Sequence, residues 1–297
     1  MNELETRFAG RLRRHEPMSR HTSWHVGGPA DWFFEPRDRE DLANFLRAIP
    51  ANLPLWWVGL GSNLLVRDGG LRGAVILTHG ALSKLEPRAD GLIWCEAGVP
   101  CARIARHCVR LGLGPAEFFA GIPGTLGGAL AMNAGAFGGE TWSHVREVEV
   151  IDRAGHIRWR AAGEYQVAYR HVAAPVSGEA FLGATLAFES RPASSNDTLR
   201  ELLVERKAKQ PIGEWSCGSV FTNPEGDHAA RLIEAAGLKG RRVGGACVSP
   251  KHANFIINEG DASAADLEQL MGEVQNLVEA RFGVRLQTEV RIVGEAA

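Results

Sequence analysis

Trp57-Val58-Gly59-Leu60-Gly61-Ser62-Asn63-Leu64-Leu65 runs an apolar strand into a tight turn. Glycines at 59 and 61 let backbone N–H groups converge on one concavity, where phosphate oxygens fit without meeting a Cβ. Ser62 and Asn63 add side-chain donors. The third glycine of a Gly-x-Gly-x-x-Gly fingerprint is absent, because position 64 is leucine. A phosphate-holding turn and a plain strand-ending turn both remain open on these residues. The run from Gly121 to Ala136 (Gly-Ile-Pro-Gly-Thr-Leu-Gly-Gly-Ala-Leu-Ala-Met-Asn-Ala-Gly-Ala) is denser in small residues. Ordinary helices and strands do not tolerate that density. It suits a backbone laid against a flat or elongated ligand, such as a pyrophosphate or an isoalloxazine ring, and it would also suit a small-residue helix crossing. No Gly-x-x-x-x-Gly-Lys-[Ser/Thr] occurs, which excludes a P-loop nucleotidase.

Composition agrees that glycine is the unusual element. It supplies 35 of 297 residues, about 12% against a usual ~7%. Nine fall between Gly112 and Gly139 and five between Gly59 and Gly73, with no three-residue period and no serine-rich background. Collagen and flexible-linker readings therefore fail. A formal charge of −2 with no basic block gives a nucleic-acid partner no electrostatic support. No apolar run reaches the ~18 residues of a membrane span, so no membrane insertion is expected. The first residues lack the layout of a signal peptide, and a cytoplasmic location is expected. The five cysteines contain no Cys-x-x-Cys; reduced thiols are expected and metal binding is not. His21 and His25, though four apart, lack a carboxylate motif and read as non-ligands.

The elements that must position these segments alternate in type, an α+β signature. Trp32–Phe34, Leu55–Val58, Ala74–Leu77, Leu92–Trp94, Val145–Ile151, Ile157–Trp159, Phe181–Phe188, Phe255–Ile257 and Val290–Val293 read as strands. The strands from 145 to 188 form an expected antiparallel set. Asp38 caps a helix carrying Leu42, Phe45, Leu46 and Ile49. Ile104, Cys108 and Leu111 stripe another, ending at Gly112. Leu199, Leu202 and Leu203 begin a third, Ala230, Ile233 and Ala236 mark a fourth from about Asp227, and Leu267 to Leu277 a fifth, closed by Gly283. Residues 191–197 (Arg-Pro-Ala-Ser-Ser-Asn-Asp) read as a linker. The expected domains are 1–190, with subdomains of about 1–77 and 78–190, and 191–297.

Seven segments occur in a telling order: the turn at 59–65, Gly121–Ala136, Tyr169-Arg170, Gly218-Ser219-Val220-Phe221-x-Asn223-Pro224, Ala236–Gly240, Lys251-His252-Ala253-Asn254-Phe255 and Glu289-Val290-Arg291. Together they resemble the UDP-N-acetylenolpyruvoylglucosamine reductase family, from about His21 to Gly294. The resemblance implies an FAD-binding half of the vanillyl-alcohol-oxidase type, built of two α+β subdomains, and a C-terminal α+β substrate-binding domain. The C-terminal strand near 289 would contribute to the active site. It implies NADPH as electron donor and reduction of UDP-N-acetylglucosamine enolpyruvate to UDP-N-acetylmuramate, a cytoplasmic step of peptidoglycan synthesis. Gly59, Gly61, Ser62 and Asn63 would hold the FAD pyrophosphate, with Leu64 beside them. Gly121, Ile122, Pro123, Gly124, Gly127, Gly128, Asn133, Gly135 and Ala136 would line the flavin. Arg170, Ser219 and Glu289 take the catalytic positions, and Tyr169, Asn223, Lys251 and His252 are expected at the substrate. A monomer, at most weakly associating, is expected.

By residue type alone, Ser219 also reads as a turn or cap serine, Glu289 and Arg291 as edge-strand charges, and Arg170 as a surface arginine. A serine nucleophile lacks its Gly-x-Ser-x-Gly elbow. Two departures from the family pattern stand out: Val172 replaces a serine after the catalytic arginine, and Thr222 replaces a lysine after Phe221. The short connection from Val172 to Phe181 leaves no room for the inserted tyrosine loop of one family branch. Two rival functions are a flavin oxidase on the same fold and a non-catalytic nucleotide-sugar binder. No His or Cys lies at 59–77 or 112–142 to tether a flavin, which disfavours the first. The joint presence of Arg170, Ser219 and Glu289 disfavours the second.

Overall fold

The computed structural model describes residues 3–8, 11–191 and 196–297. Positions 192–195 of the expected linker lie outside the described residues. The chain forms two compact units. One holds the described residues up to Arg14, then Trp32–Leu60 and Gly73–Val204; the other holds His15–Asp31, Gly61–Arg72 and Glu205–Ala297. The second unit thus differs from a domain cut near 191: two short N-terminal segments belong with the C-terminal third. Trp24 explains the first of them. Its side chain is fully buried, its indole N–H donates to the Ile256 carbonyl at 2.8 Å, and its own carbonyl accepts from Asn258 Nδ2 at 2.8 Å. A strand pairing explains the second. Leu64–Val66 runs parallel to Arg291–Val293, and Leu65 is buried in the same core as Trp24.

The strands fall into two principal sheets before residue 190. A four-stranded sheet is ordered Leu12–Pro17, Pro29–Phe34, Leu71–Leu77, Leu55–Val58. Its Leu55–Val58 and Ala74–Leu77 pair in parallel, as the nearly continuous apolar runs require. The helix Arg39–Ala48 connects into this sheet, and Asp38 caps it as expected by accepting from Asp41 N at 2.8 Å. Phe34 and Phe45 stack with centroids 4.0 Å apart, fixing helix against sheet. The second sheet is antiparallel throughout, ordered Ile157–Ala161, Val145–Ile151, Ala180–Ala187, Leu92–Glu96, Leu85–Pro87. The helices Cys101–Arg110 and Leu126–Met132 bury Ile104, Cys108, Leu126, Ala129 and Leu130 in the core shared with this sheet.

In the other unit a three-stranded antiparallel sheet, Arg242–Val243, Ala246–Val248 and Ile256–Asn258, shares its core with the helix Ala264–Phe282. Ser263 and Asp266 close a capping box at the start of that helix, and Gly283 ends it in the left-handed conformation. The preceding helix, Ala229–Ala235, buries Ala229, Leu232 and Ile233, so the stripe expected from Ala230 and Ala236 is rotated; both are only half-buried. The helix Asn196–Lys209 buries Leu199 and leaves Leu203 exposed. All five cysteines are buried and free. Burial pushes the Cys108 thiol up to about 12, which keeps it protonated and inert. Among the described residues no helix is long and apolar enough to cross a membrane, and no His/Cys/Asp/Glu group could hold a metal ion.

His144 is held between aromatic rings, stacked on Phe118 at 5.4 Å and Phe188 at 5.1 Å. Burial holds its protonation, like that of His252, below the ordinary histidine range. The unfolded chain then takes up protons near its ordinary pKa of about 6.5 while the folded chain does not. Stability is therefore unaffected above that pH and is lost as the pH falls through it. Thermal melts from pH 7.5 to 5 should show a falling midpoint, and His144→Phe should flatten the slope; an unchanged slope would separate His144 from the effect.

Candidate active site

Three glycines of the two glycine-rich segments are required by contacts within the protein. A Cβ on Gly59 would lie 2.2 Å from Thr125 Oγ1, one on Gly121 2.4 Å from the Ala136 Cβ, and one on Gly135 2.3 Å from the Gly139 carbonyl. The turn at Gly59 and the start of the helix Leu126–Met132 are therefore in direct contact. Gly128 is different. It is exposed on that helix, with open space where a Cβ would project, and Pro123 is exposed and Gly124 half-buried nearby in sequence. The chain thus presents bare backbone beside small residues, a surface that suits a planar ring system.

Asn133 ends this helix at φ +47° and is almost wholly buried. Its amide donates to Glu140 Oε2 at 3.0 Å and the Ala168 carbonyl at 3.2 Å, and its Oδ1 accepts from Trp142 N at 3.1 Å. The side chain is thereby engaged in holding three segments together. Ala168 leads into a two-residue turn, Tyr169-Arg170, between the paired strands Gln166–Ala168 and His171–Ala173. Arg170 has φ +54°, a left-handed conformation that costs a non-glycine residue about 1–3 kcal/mol. Its guanidinium donates to the Asn133 carbonyl at 3.2 Å and the Gly135 carbonyl at 3.1 Å. The turn and these two bonds deliver a half-buried cation to the glycine-rich segment. Tyr169 is 49% exposed, its ring 5.0 Å from the Arg170 Cζ.

Ser219 follows Gly218 (φ +82°) in the other unit and is half-buried. The backbone after it is bonded on both sides. Val220 N donates to the Asn254 carbonyl at 2.9 Å, and the Asn254 side chain makes two more bonds, accepting from Phe221 N at 3.0 Å and donating to the Phe221 carbonyl at 2.8 Å. Opposite, Glu289 N donates to the Val220 carbonyl at 2.8 Å and Thr222 N to the Gln287 carbonyl at 2.9 Å. Ser219 and Glu289 are thus brought together, although 70 positions separate them in the chain. The Glu289 charge, with burial as the larger cause, holds the Cys217 thiol well above its ordinary range. The phosphate-turn candidate joins this cluster, because Asn63 Nδ2 donates to the Glu289 carbonyl at 3.0 Å and Arg291 N donates to the Asn63 carbonyl at 3.1 Å. Leu64 begins the strand paired with Arg291–Val293. Gly61 has φ +61°, and a Cβ there would come within 2.0 Å of the His21 carbonyl.

The remaining expected positions are occupied within the protein. Asn223 Oδ1 accepts from Ala229 N at 3.1 Å, satisfying the start of the helix Ala229–Ala235. Lys251 Nζ donates to the Lys207 carbonyl at 2.5 Å. The His252 ring meets Phe255 edge-on at 4.8 Å; burial and then the nearby Lys239 lower its pKa, and its Nδ1 is closed off without a partner. Thr222 uses its hydroxyl on the Gln287 carbonyl at 3.4 Å. Asn254 is the residue that sequence reasoning did not single out, although the Lys-His-Ala-Asn-Phe segment contained it. Its signal is an amide directly before a buried strand.

Comparison with known proteins accounts for both units. Residues 30–160 match the family model of an FAD binding domain, and residues 210–293 that of the UDP-N-acetylenolpyruvoylglucosamine reductase C-terminal domain. The UDP-N-acetylenolpyruvoylglucosamine reductase of Alkalilimnicola ehrlichii is 58% identical over 97% of this chain and 96% of its own length. That of Methylococcus capsulatus is 56% identical over 97% and 94%. The crystal structure of the Thermus caldophilus enzyme superposes with a TM-score of 0.81 at 34% identity, covering 95% of this chain and 98% of that one.

Replacing Asn254 by Ala leaves the Phe221 N–H and carbonyl without their side-chain partners, at a cost of about 1–3 kcal/mol for each buried group left unsatisfied. A urea titration should show that loss. An unchanged midpoint would mean that the Gln287–Glu289 side alone holds the segment.

The ordered motifs, the geometry of both units and similarity over almost the whole length agree: this chain belongs to the UDP-N-acetylenolpyruvoylglucosamine reductase family.

Proposed function

We propose that Arg170, Ser219 and Glu289 are the catalytic residues of this FAD-dependent oxidoreductase, a UDP-N-acetylenolpyruvoylglucosamine reductase that uses NADPH. The observation that supports the assignment is the bond from Glu289 N to the Val220 carbonyl, which brings the backbone of Glu289 alongside the Gly218-Ser219-Val220 segment. The FAD fits the residues present: bare backbone at Gly128 suits the ring system, and the left-handed turn at Gly61 with Ser62 and Asn63 suits the pyrophosphate. Held by Gly59, Gly61, Ser62 and Asn63 and by the bare backbone at Gly128, FAD would supply the hydride chemistry between NADPH and the enolpyruvyl double bond.

The chain's own residues then have three tasks. Hydride addition leaves negative charge on the carbon next to the substrate carboxylate and on that carboxylate. Arg170 neutralises it, since a guanidinium matches a planar oxyanion and its cost in desolvation and backbone strain is already met by the fold. Ser219 Oγ–H gives the proton to the carbanionic carbon. Glu289 orients that hydroxyl and helps restore its proton. Tyr169, Asn223, Lys251 and His252 line the substrate in this reading. The short Val172–Phe181 connection supports the reading of a family branch without the tyrosine loop. A cytoplasmic monomer serves such a reaction, because the nucleotide-sugar and NADPH are both diffusible.

The purified protein should be yellow and should bleach with NADPH. In stopped flow, Ser219→Ala should leave that bleaching nearly intact and slow reoxidation by the enolpyruvyl substrate by about 10²–10⁴-fold, the usual cost of a positioned acid. Equal impairment of both half-reactions would remove Ser219 from the proton transfer. Arg170→Ala should likewise slow the second half-reaction, and a normal rate would argue against its charge-stabilising role.

A further inference from the structure

The Asn133 and Gly135 carbonyls receive the Arg170 guanidinium, and the segment that carries them is held in turn by residues 140–142. Gly135–Ala136 and Gly139–Glu140 pair antiparallel across the turn Phe137-Gly138, whose two residues have φ +51° and +80°. Left-handed residues at both positions are what a two-residue hairpin turn requires. Glu140 stands opposite Gly135 in this register, and a Cβ on Gly135 would come within 3.1 Å of the Glu140 Cγ. Thr141 is fully buried, and its N–H and hydroxyl both donate to the Ala134 carbonyl, at 3.0 and 2.7 Å. Glu140 is half-buried, and its Oε2 accepts from Asn133 Nδ2 at 3.0 Å.

We propose that Glu140 is a positioning residue for Arg170. The inference rests on the reading of Arg170 as the group that neutralises charge in the second half-reaction. An asparagine amide has two donor hydrogens and one acceptor oxygen, and here both ends are used. Nδ2 serves Glu140 Oε2 and the Ala168 carbonyl, while Oδ1 accepts from Trp142 N. Turned over, the amide would set its oxygen against two other oxygens. Of the two acceptors the ionised carboxylate makes the stronger bond, so it is Glu140 that fixes which way the amide lies. The amide then grips the Ala168 carbonyl at the entry to the Tyr169-Arg170 turn, and the backbone of Glu140 holds Gly135. The turn that carries the cation and the carbonyls that receive it thus depend on one carboxylate. Misplacement of a reacting group by about 1 Å can cost about 10²-fold in rate.

The test uses the flavin-loaded full-length protein in stopped flow at saturating enolpyruvyl substrate. Glu140→Ala should slow reoxidation about 10–100-fold and leave bleaching by NADPH nearly intact. Glu140→Gln, whose amide oxygen can accept from Asn133, should restore most of the rate. The Arg170→Ala background separates positioning from support of the fold: there Glu140→Ala should change reoxidation by no more than about twofold, because the group it places is gone. Glu140→Asp, shorter by one methylene, is the milder variant should Glu140→Ala not retain flavin; it too should slow reoxidation in the parent and not in the Arg170→Ala background. Unchanged reoxidation in Glu140→Ala overturns the proposal, as does a full additional loss in the double variant. A Glu140→Gln protein as slow as Glu140→Ala also overturns it, since charge rather than the bond to Asn133 would then matter. Normal reoxidation in Arg170→Ala alone instead removes the underlying reading, and the proposal with it.

Discussion

The hydrogen bonding of Val220–Thr222 is the constraint on which the placement of Ser219, the proposed acid, depends. An isolated stretch of four residues has no preference strong enough to hold a serine hydroxyl in one direction. Here Asn254 supplies three bonds from one side, and the backbone of 287–289 supplies two from the other. The core that includes Val220, Phe221 and Val290 packs around them. Reagents that must transfer a proton need placement within a few tenths of an ångström, and a segment bonded on both edges achieves it at no entropic cost during the reaction. Asn63 extends the same network to the Gly61–Asn63 turn, so the proposed cofactor turn and the proposed acid share one set of bonds.

Arg170 is positioned by a different device. A two-residue turn forces it into a left-handed conformation, and the Asn133 and Gly135 carbonyls hold its guanidinium. Asn133 is also left-handed and triply bonded through its side chain. Strain of this kind persists only where the surroundings over-determine it, and it concentrates where a group must stay ready for chemistry. The glycines around it divide by task. Gly121 and Gly135 allow backbone segments to approach each other, while Gly128 leaves surface uncovered. Glycine density therefore marks close packing as much as ligand contact, and a count cannot separate the two.

Much of the fold was legible in the residues. Asp38 as a cap, Gly283 as a stop, the Ile104–Cys108 stripe and the antiparallel set from 145 to 188 all depend on local chemistry or on spacing within one element. The rotated face of Ala229–Ala235 was not legible, because alanine is compatible with both the buried and the exposed side and only the neighbouring helix decides between them. Nor were the roles of Asn133 and Asn223. An amide reads equally as ligand contact or as a bond to the protein's own backbone, and both side chains make the second kind.

By itself the sequence determined the segments: where glycine permits close approach, which residues can carry a charge or a proton, and the order of motifs that identifies the family. These follow from side-chain chemistry and from periods of two or about 3.6 residues, which need no knowledge of distant partners. Only the tertiary structure decided that His15–Asp31 and Gly61–Arg72 belong with the C-terminal third, that Asn254 holds the serine segment, and that Glu289 pairs with Val220 beside Ser219. Each depends on pairing between residues tens to hundreds of positions apart. Such pairing is chosen by the whole core at once, through burial of Trp24, Leu65 and Val220 together, and leaves no local trace in the chain.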